Sequence, residues 1–472
     1  MAGVVIMNTA SVTILGVVIS LLAGCAVGPD YRRPDFALTD AYKEQDGWKP
    51  SEPADLPGSG AWWEIYRDEV LNGLERQVEI SNENVKAAAA AVEQSEALVR
   101  QARAGFWPII TGSWDRQRTA SGAQGARTLF GAGAEAVWNL DVWGKIRRST
   151  QSSSASAQAS VAALAAARLS AQSQLASIYF QLRAQDQLQS LLDATVAAQR
   201  ESLRIAESRY RFGVAAKADV VSARTQLLTN QAQQTNAAIQ RALLEHAIAI
   251  LTGREPAAFS LSSAPLRADV PAVPAGLPST LLERRPDIAA AERTVAAASA
   301  QIGVARAAFF PSISINGSDD YQGGVASTLI RASNRVWAFG PVLAQTLFAG
   351  GLHRAQEAQA RAAFDISVDD YRQTVLQGLQ QVEDEIVTLR VLEKQSAIVD
   401  AAVASAREAE ALTLNQYKAG TVPYSSVIAA QTARLDSEVS ALSVLSSRLT
   451  ASVTMIEALG GGWSDAALLQ MQ

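Results

Sequence analysis

Apolar side chains recur along the chain in two rhythms. Val375, Leu379, Val382, Ile386 and Leu389 follow one another at steps of 4, 3, 4 and 3, and Leu175, Ile178 and Leu182 keep the same habit in an earlier stretch. Such spacing lays one apolar stripe along a helix, a heptad-like seam for a partner helix. The second rhythm is alternation. From Thr128 onward one set holds Thr128, Phe130, Ala132, Ala134, Ala136, Trp138, Leu140 and Val142, and the other Gly131, Gly133, Glu135, Asn139 and Asp141. Ile313 and Ile315 oppose Ser312, Ser314 and Asn316 in the same way. This is the mark of a strand with one apolar and one polar face. Long stretches rich in Ala, Gln and Ser predict helices over about 78–105, 145–212 and 217–252, and again over about 285–307, 352–418 and 423–459. At 1.5 Å per residue the helix over 145–212 would reach about 100 Å, far more than a globular domain needs.

The elements come twice. Ala102-Arg103-Ala104-Gly105-Phe106-Trp107-Pro108 is matched by Ala305-Arg306-Ala307-Ala308-Phe309-Phe310-Pro311, and Tyr210-Arg211-Phe212-Gly213 by Tyr417-Lys418-Ala419-Gly420. Trp143-Gly144 and Phe348-Ala349-Gly350 close a strand-like segment in each half. Each copy reads helix, two strands, long helix, tight turn, helix, with Tyr-x-x-Gly ending the long helix where glycine can turn the chain. Prolines cluster between Pro29 and Pro57 and between Pro256 and Pro286, marking irregular connections. The expected organisation is a signal segment at 1–24, an N-terminal anchor and irregular segment at 25–61, a first repeat at 62–252, a proline-rich connector at 253–283, a second repeat at 284–459 and a tail at 460–472.

Four alternating segments of about ten residues fit a transmembrane barrel, although taken alone they favour a half-buried soluble sheet. Barrels in membranes start at eight strands. A closed one would require an oligomer, because open sheet edges cannot face lipid.

Charge and composition narrow the chemistry. With 41 basic against 46 acidic side chains the formal net charge is −5, which argues against nucleic-acid binding. One Cys and two His, His246 and His353, leave no thiolate zinc site and no internal disulfide. His353 and Glu357 stand four apart on a helix, a poor metal site better read as a solvated pair. No nucleophile elbow, phosphate loop or metal cluster is visible, so no enzyme is expected. The apolar run from Val12 to Leu22 is too short to span a membrane and reads as a secretory signal. No later stretch reads as a transmembrane helix.

The signal segment ends Leu22-Ala23-Gly24-Cys25, which resembles a bacterial lipobox, implying a covalent lipid on Cys25 and no other cofactor. Ala26 in the next position favours, by the same resemblance, the outer membrane. With the duplication and Leu282-Glu283-Arg284-Arg285-Pro286-Asp287-Ile288 opening the second copy, the chain resembles the TolC-like outer-membrane factors, closest to the NodT-type lipoprotein branch of RND efflux systems. The resemblance implies a mainly α fold with a β-barrel: duplicated helix-strand-strand-helix-helix units, long antiparallel coiled helices plus four strands per chain. It further implies a homotrimer with one 12-stranded outer-membrane barrel and a periplasmic α-helical tunnel. The expected partners are outer-membrane lipid, a periplasmic adaptor (membrane-fusion) protein and an inner-membrane RND-type pump. The expected function is the exit duct for drugs or other small toxic compounds. A conduit for type I polypeptide secretion and a trimeric surface anchor are the alternatives. Anchors of that kind place their strands together at the C-terminus, unlike the two separated pairs here.

Several residues acquire roles through this resemblance. Tyr210, Gly213, Tyr417 and Gly420 would form the periplasmic tips, where the tunnel closes and the adaptor docks. Asp219 stands where the family can carry an acid that bonds the second-copy tyrosine, here Tyr417; a plain N-terminal helix charge is the other reading. The stretch Tyr424-Ser425-Ser426-Val427-Ile428-Ala429 lacks the inward acid of better-known members, so closure would fall to apolar groups such as Val422 and Val427. Arg285, Pro286 and Asp287 read chiefly as a helix start, with proline in the first turn and an acid complementing the dipole.

Overall fold

Asp68 starts the first helix, its carboxylate accepting from Val70 N (2.9 Å) and Leu71 N (3.2 Å). That helix, α1 (Glu69–Ser81), precedes α2 (Glu83–Ala104), β1 (Ile109–Ala120), β2 (Ala126–Leu140), α3 (Lys145–Arg211) and α4 (Lys217–Leu251). One helical turn at Leu281–Arg284 then leads into α5 (Pro286–Ala307), β3 (Ser312–Gly323), β4 (Arg335–Ala344), α6 (Leu352–Ala419) and α7 (Tyr424–Ala458). The computed structural model describes residues 26–36, 39, 41–44, 61–120, 122, 125–267, 269–273 and 281–464. The expected signal segment 1–24 and Cys25 lie outside the described residues. So does much of the proline-rich stretch before residue 61 and the tail from 465.

The long helices fall within a residue or two of expectation, but the first helix does not. Helix is expected from about 78; instead α1 begins at Glu69, and Asn82 breaks the run before α2. Asn82 caps α2 by accepting from Asn84 N and Val85 N, and its amide donates to Leu251 O (2.9 Å). The strands also end sooner than expected, at Leu140 and Ala344. Trp143-Gly144 and Phe348-Gly350 form the turns into α3 and α6, and Val142 and Asp141 belong to no strand face. Asp141 instead accepts from Ile146 N (2.7 Å) and Arg147 N (2.8 Å), neutralising the free amides at the start of α3.

By internal contacts the chain forms two units, each assembled from both repeats. One unit takes the described parts of Met1–Phe36 with Ala91–Val161 and Ala290–Gln373. It holds an antiparallel sheet in the order β1-β2-β3-β4, with Ile109 opposite Val137, Ala136 opposite Gly317 and Gly317 opposite Phe339. At the helical end of the sheet, Trp143 stacks on Phe310 with centroids 4.9 Å apart and donates from Nε1 to Pro311 O (2.6 Å). The N-terminal segment is registered on the same region. Val27 N donates to Trp143 O (3.1 Å), and a Cβ on Gly28 would fall 2.5 Å from Gly303 Cα, so only glycine fits. Arg148 pairs with Asp30 (2.9 Å), the Tyr31 hydroxyl donates to Glu292, and Arg33 donates to the Tyr371 hydroxyl (3.3 Å).

The other unit comprises the described parts of Ala37–Ala90, Ala162–Ala289 and Thr374–Gln472. Its core joins Trp62, Leu71 and Val78 to Leu175 and Leu182 of α3, Ile248 of α4, Val382 and Ile386 of α6, and Leu449, Val453 and Ile456 of α7. The seams read from the sequence are thus buried seams. By length and composition α7 could cross a membrane, contrary to expectation. Its apolar positions Leu449, Val453 and Ile456 are nonetheless those of this core. The connector is irregular but held: Asp186, 1% exposed, accepts from Arg183, Arg241 and Ala264 N. The two guanidiniums in turn donate to Ser262 O (2.7 Å) and Leu261 O (2.6 Å).

Glu75 of α1 is fully buried, and neither carboxylate oxygen has a hydrogen-bond partner. Burial therefore pushes its acid well above the usual carboxylate range. The folded chain holds a proton that the unfolded chain releases, so stability falls as pH climbs from about 4.3 toward the folded-state value. Glu75→Gln is expected to raise the melting temperature, by an increment larger at pH 8 than at pH 5. Thermal melts at the two pH values check this, and an equal or reversed increment contradicts it.

Candidate functional site

The sheet separates two surfaces. Its register puts Ile110, Trp114, Ala134, Ala136, Trp138, Ile313, Ile315, Trp337, Phe339 and Leu343 on one face. Trp114, Trp337 and Phe339 are 71%, 68% and 75% exposed, so this apolar face is uncovered within the chain. The opposite face carries Ser113, Asp115, Gln117, Glu135, Asn139, Ser314, Asn316, Ser318 and Asp320. Glycines make room for its acids: a Cβ on Gly131 would lie 2.1 Å from Asp115 Oδ1, and one on Gly133 1.8 Å from Asp320 Oδ1. The faces agree with those read from the sequence. The backbone edges of β1 and β4 have no neighbouring strand among the described residues.

The two Tyr-x-x-Gly turns have one geometry. Gly213 N donates to Tyr210 O and Val214 N to Arg209 O; Gly420 N donates to Tyr417 O and Thr421 N to Gln416 O. With φ of +72° and +80°, Gly213 and Gly420 close Schellman-type helix ends. The two tyrosines differ in surroundings. Tyr210 is half exposed, whereas Tyr417 is 3% exposed and packs with Ala206, Ala223, Tyr424 and Val427. Val422 is packed partly buried against that cluster.

Arg209 organises this cluster, and sequence reasoning missed it. Its Nη1 donates to Tyr417 O (2.7 Å) and Lys418 O (3.0 Å), satisfying carbonyls at the end of α6 with a cation where the helix dipole favours one. Its guanidinium also lies 4.8 Å from the Tyr417 ring centroid. The available signal was a difference between the copies: Arg209 precedes Tyr210, where Gln416 precedes Tyr417.

The expected hydrogen bond from Tyr417 to Asp219 is not formed. The Tyr417 hydroxyl is buried without a partner. Burial raises its pKa, and Asp219 adds to the rise through its charge while Arg209 opposes it. Asp219 sits in the first turn of α4, where an acid complements the helix dipole. Val427 is likewise unavailable for closing a passage, because it is fully buried inside the chain's own helix packing.

Arg285, Pro286 and Asp287 do start a helix, but Arg285 also ties three elements together. The side chain, 9% exposed, grips Asp287 through Nε (3.0 Å) and Nη2 (2.6 Å). Its Nη1 donates to Gln381 Oε1 of α6 (2.7 Å) and Ala458 O of α7 (3.1 Å). His353 and Glu357 form no joint site. Glu357 pairs with Arg306 and Arg361, each at 2.9 Å, while His353 packs on Phe309 with centroids 5.7 Å apart.

These contacts separate the roles of Arg209 and Tyr417. Removing a charged donor to two carbonyls costs about 2 kcal/mol, so Arg209→Ala is expected to loosen the α3–α6 ends and lower the melting temperature. Tyr417→Phe deletes an unpartnered hydroxyl and should leave the melting temperature at the wild-type level. A destabilised Tyr417→Phe variant would show that the hydroxyl holds the cluster after all.

The family model for outer membrane efflux proteins matches the chain twice, over residues 74–254 and 277–461. Toluene efflux pump outer membrane protein TtgC of Pseudomonas putida is 28% identical over 469 residues, covering 97% of this chain and 96% of that one. Nodulation protein T of Rhizobium leguminosarum bv. trifolii is 29% identical over 87% of this chain and 89% of its own. The solved structure of the outer-membrane channel OprN matches with a TM-score of 0.84 at 29% identity, covering 93% of this chain and all of that one. The matches run nearly end to end and embrace both the sheet and the paired helix turns: the chain belongs to the outer membrane efflux protein family.

Proposed function

We propose that three copies of this chain close their sheets into one 12-stranded barrel in the outer membrane, continued by a periplasmic tunnel of helices. The duct so formed passes drugs or other small toxic compounds outward from a periplasmic adaptor and an inner-membrane RND-type pump. The observation that carries this reading is the four-stranded sheet with one apolar face, one polar face and two open edges. In hydrocarbon each unpaired backbone group costs several kcal/mol, so such a sheet is viable there only in a closed ring. Four strands do not make a barrel and three times four do. The acids over Gly131 and Gly133 suit a wet interior, and the uncovered tryptophans suit lipid. The twofold family match over 74–254 and 277–461 supports the reading of two tandem repeats.

We further propose that Cys25 carries the lipid anchor. Ala26 lies against Gly144, whose Cβ would come within 2.9 Å of the alanine methyl. Val27 is bonded to Trp143. Both contacts are to the turn just beyond the end of β2, so a lipid on the preceding residue would meet the membrane at the edge of the sheet. At the opposite role, Phe212 and Val214 beside Gly213 are 80% and 64% exposed. That uncovered apolar pair supports the α3–α4 turn as an adaptor contact, with Tyr210, Gly213, Asp219, Tyr417, Gly420 and Val422 shaping the surrounding tip.

Deleting the gene in a strain without paralogous ducts is expected to sensitise cells to amphiphilic antibiotics, with resistance restored by the wild-type gene. Unchanged susceptibility would sink the efflux reading. For the anchor, Cys25→Ser is expected to abolish labelling by a fatty-acid probe, and persistent labelling would refute it.

A further inference from the structure

We propose that the outward rim of the sheet binds the phosphate groups of the phosphorylated glycolipid that forms the outer leaflet, through Arg116 and Arg118. The inference rests on the barrel reading above. The register arranges this face in rows: Leu140, Ile313 and Leu343 at the helical end, then successive rows up to Trp114, Ala132, Tyr321 and Arg335, the last neutralised by Asp319 of the same face. Five rows at two residues each span about 27 Å along the strands, or about 20 Å along the membrane normal at a tilt near 40°. That is close to the apolar band of such barrels, roughly 25 Å tall.

Arg116 and Arg118 stand on the same face, one and two rows farther out, toward the β1–β2 turn. They therefore lie about 5 and 10 Å beyond the row of Trp114 and Tyr321, within the layer of headgroups that flanks the hydrocarbon. Arg116 is opposite Phe130 and its guanidinium lies 5.6 Å from that ring's centroid, which holds the charge against the sheet. Among the described residues neither arginine forms an ion pair with a carboxylate, although pairs are made nearby: Arg335 grips Asp319 through two bonds of 2.8 and 2.9 Å. The acid at Asp115 belongs to the other face. Two unneutralised guanidiniums two residues apart, aimed at the headgroup layer, match a phosphate by charge and by their forked geometry. The cation on the opposite face at this level, Arg127 opposite Thr119, points away from the lipid and serves as a control.

The test uses the purified full-length protein and bis-phosphorylated lipid A in detergent, with retained lipid counted by native mass spectrometry. Wild type is expected to retain lipid A, and Arg116→Gln/Arg118→Gln to retain at least roughly tenfold less at equal lipid, since two charged contacts are lost. Arg127→Gln should match wild type, and dephosphorylated lipid A should be lost from all three. Equal retention by the double variant, equal retention of dephosphorylated lipid, or an equal fall in Arg127→Gln would each overturn the proposal. Single-channel recording in planar bilayers separates its failure from that of the barrel. If wild type and double variant both conduct alike, only the lipid site is at stake; if wild type forms no channel, the barrel reading fails.

Discussion

A backbone amide in hydrocarbon has no water to bond, and in the proposed barrel that constraint governs how the sheet of this protein can be used. Twelve residue pairs join β1 to β2, eleven join β2 to β3 and ten join β3 to β4, yet the outer edges of β1 and β4 stay open within one chain. An open edge in water invites aggregation; in lipid it is prohibitive. The same sheet exposes tryptophans and phenylalanines on one face and seats carboxylates over glycines on the other. Closure into a ring resolves both problems at once, since it pairs the edges and gives each face its own solvent.

In the proposed ring each four-stranded piece must arrive at a fixed angle, and the contacts at the foot of the strands are suited to hold it. Trp143 from the first copy locks onto Phe310 and Pro311 from the second. Asp141 fixes where α3 starts, and the segment after Ala26 is threaded through the Gly28–Gly303 contact, where any side chain would collide with backbone. The Trp143 and Gly28–Gly303 contacts join residues more than a hundred positions apart. They also account for the Phe-Phe-Pro stretch of the second copy, where Phe310 stacks on Trp143 and Pro311 precedes the strand without needing a ladder hydrogen bond, whereas Trp107 of the first copy stays exposed.

Much of this was legible in the chain because periodicity reports burial. The heptad steps through Val375, Val382 and Ile386 mark residues that are at most 1% exposed, and the alternation after Thr128 assigns the two faces of β2. Where one position decides, periodicity is blind. The break between α1 and α2 depends on Asn82, a polar residue that caps one helix and holds the end of another. Asp141 continues an alternating pattern yet serves as a cap. The tip shows the limit most clearly. Family likeness pairs Asp219 with Tyr417, but here the tyrosine ring is covered by Arg209 and Tyr424, and its hydroxyl is sealed from any partner. A side chain that reaches across 208 positions to a carbonyl leaves only the difference between the copies, Arg209 against Gln416, as its trace.

That reach also bears on what the duplication accomplishes. Two copies with the same turn geometry could meet as equals, and the Schellman-type ends of α3 and α6 are indeed built alike. Arg209 breaks the equivalence. It sits at the end of α3 and donates to the last carbonyls of α6, whereas its counterpart Gln416 carries no charge with which to return the contact. One helix end is thereby neutralised by its neighbour, and the tyrosine beside it is buried while Tyr210 stays half exposed. In the proposed trimer this turns six similar helix pairs into three of each kind, one tightly held and one with an uncovered apolar turn at Phe212 and Val214. A ring of six equal pairs would have to loosen everywhere to open or to receive a partner. A ring with two kinds can keep the Arg209 contacts intact while the exposed turns make and break others, which gives a physical reason for a duplicated chain to let its two tips diverge.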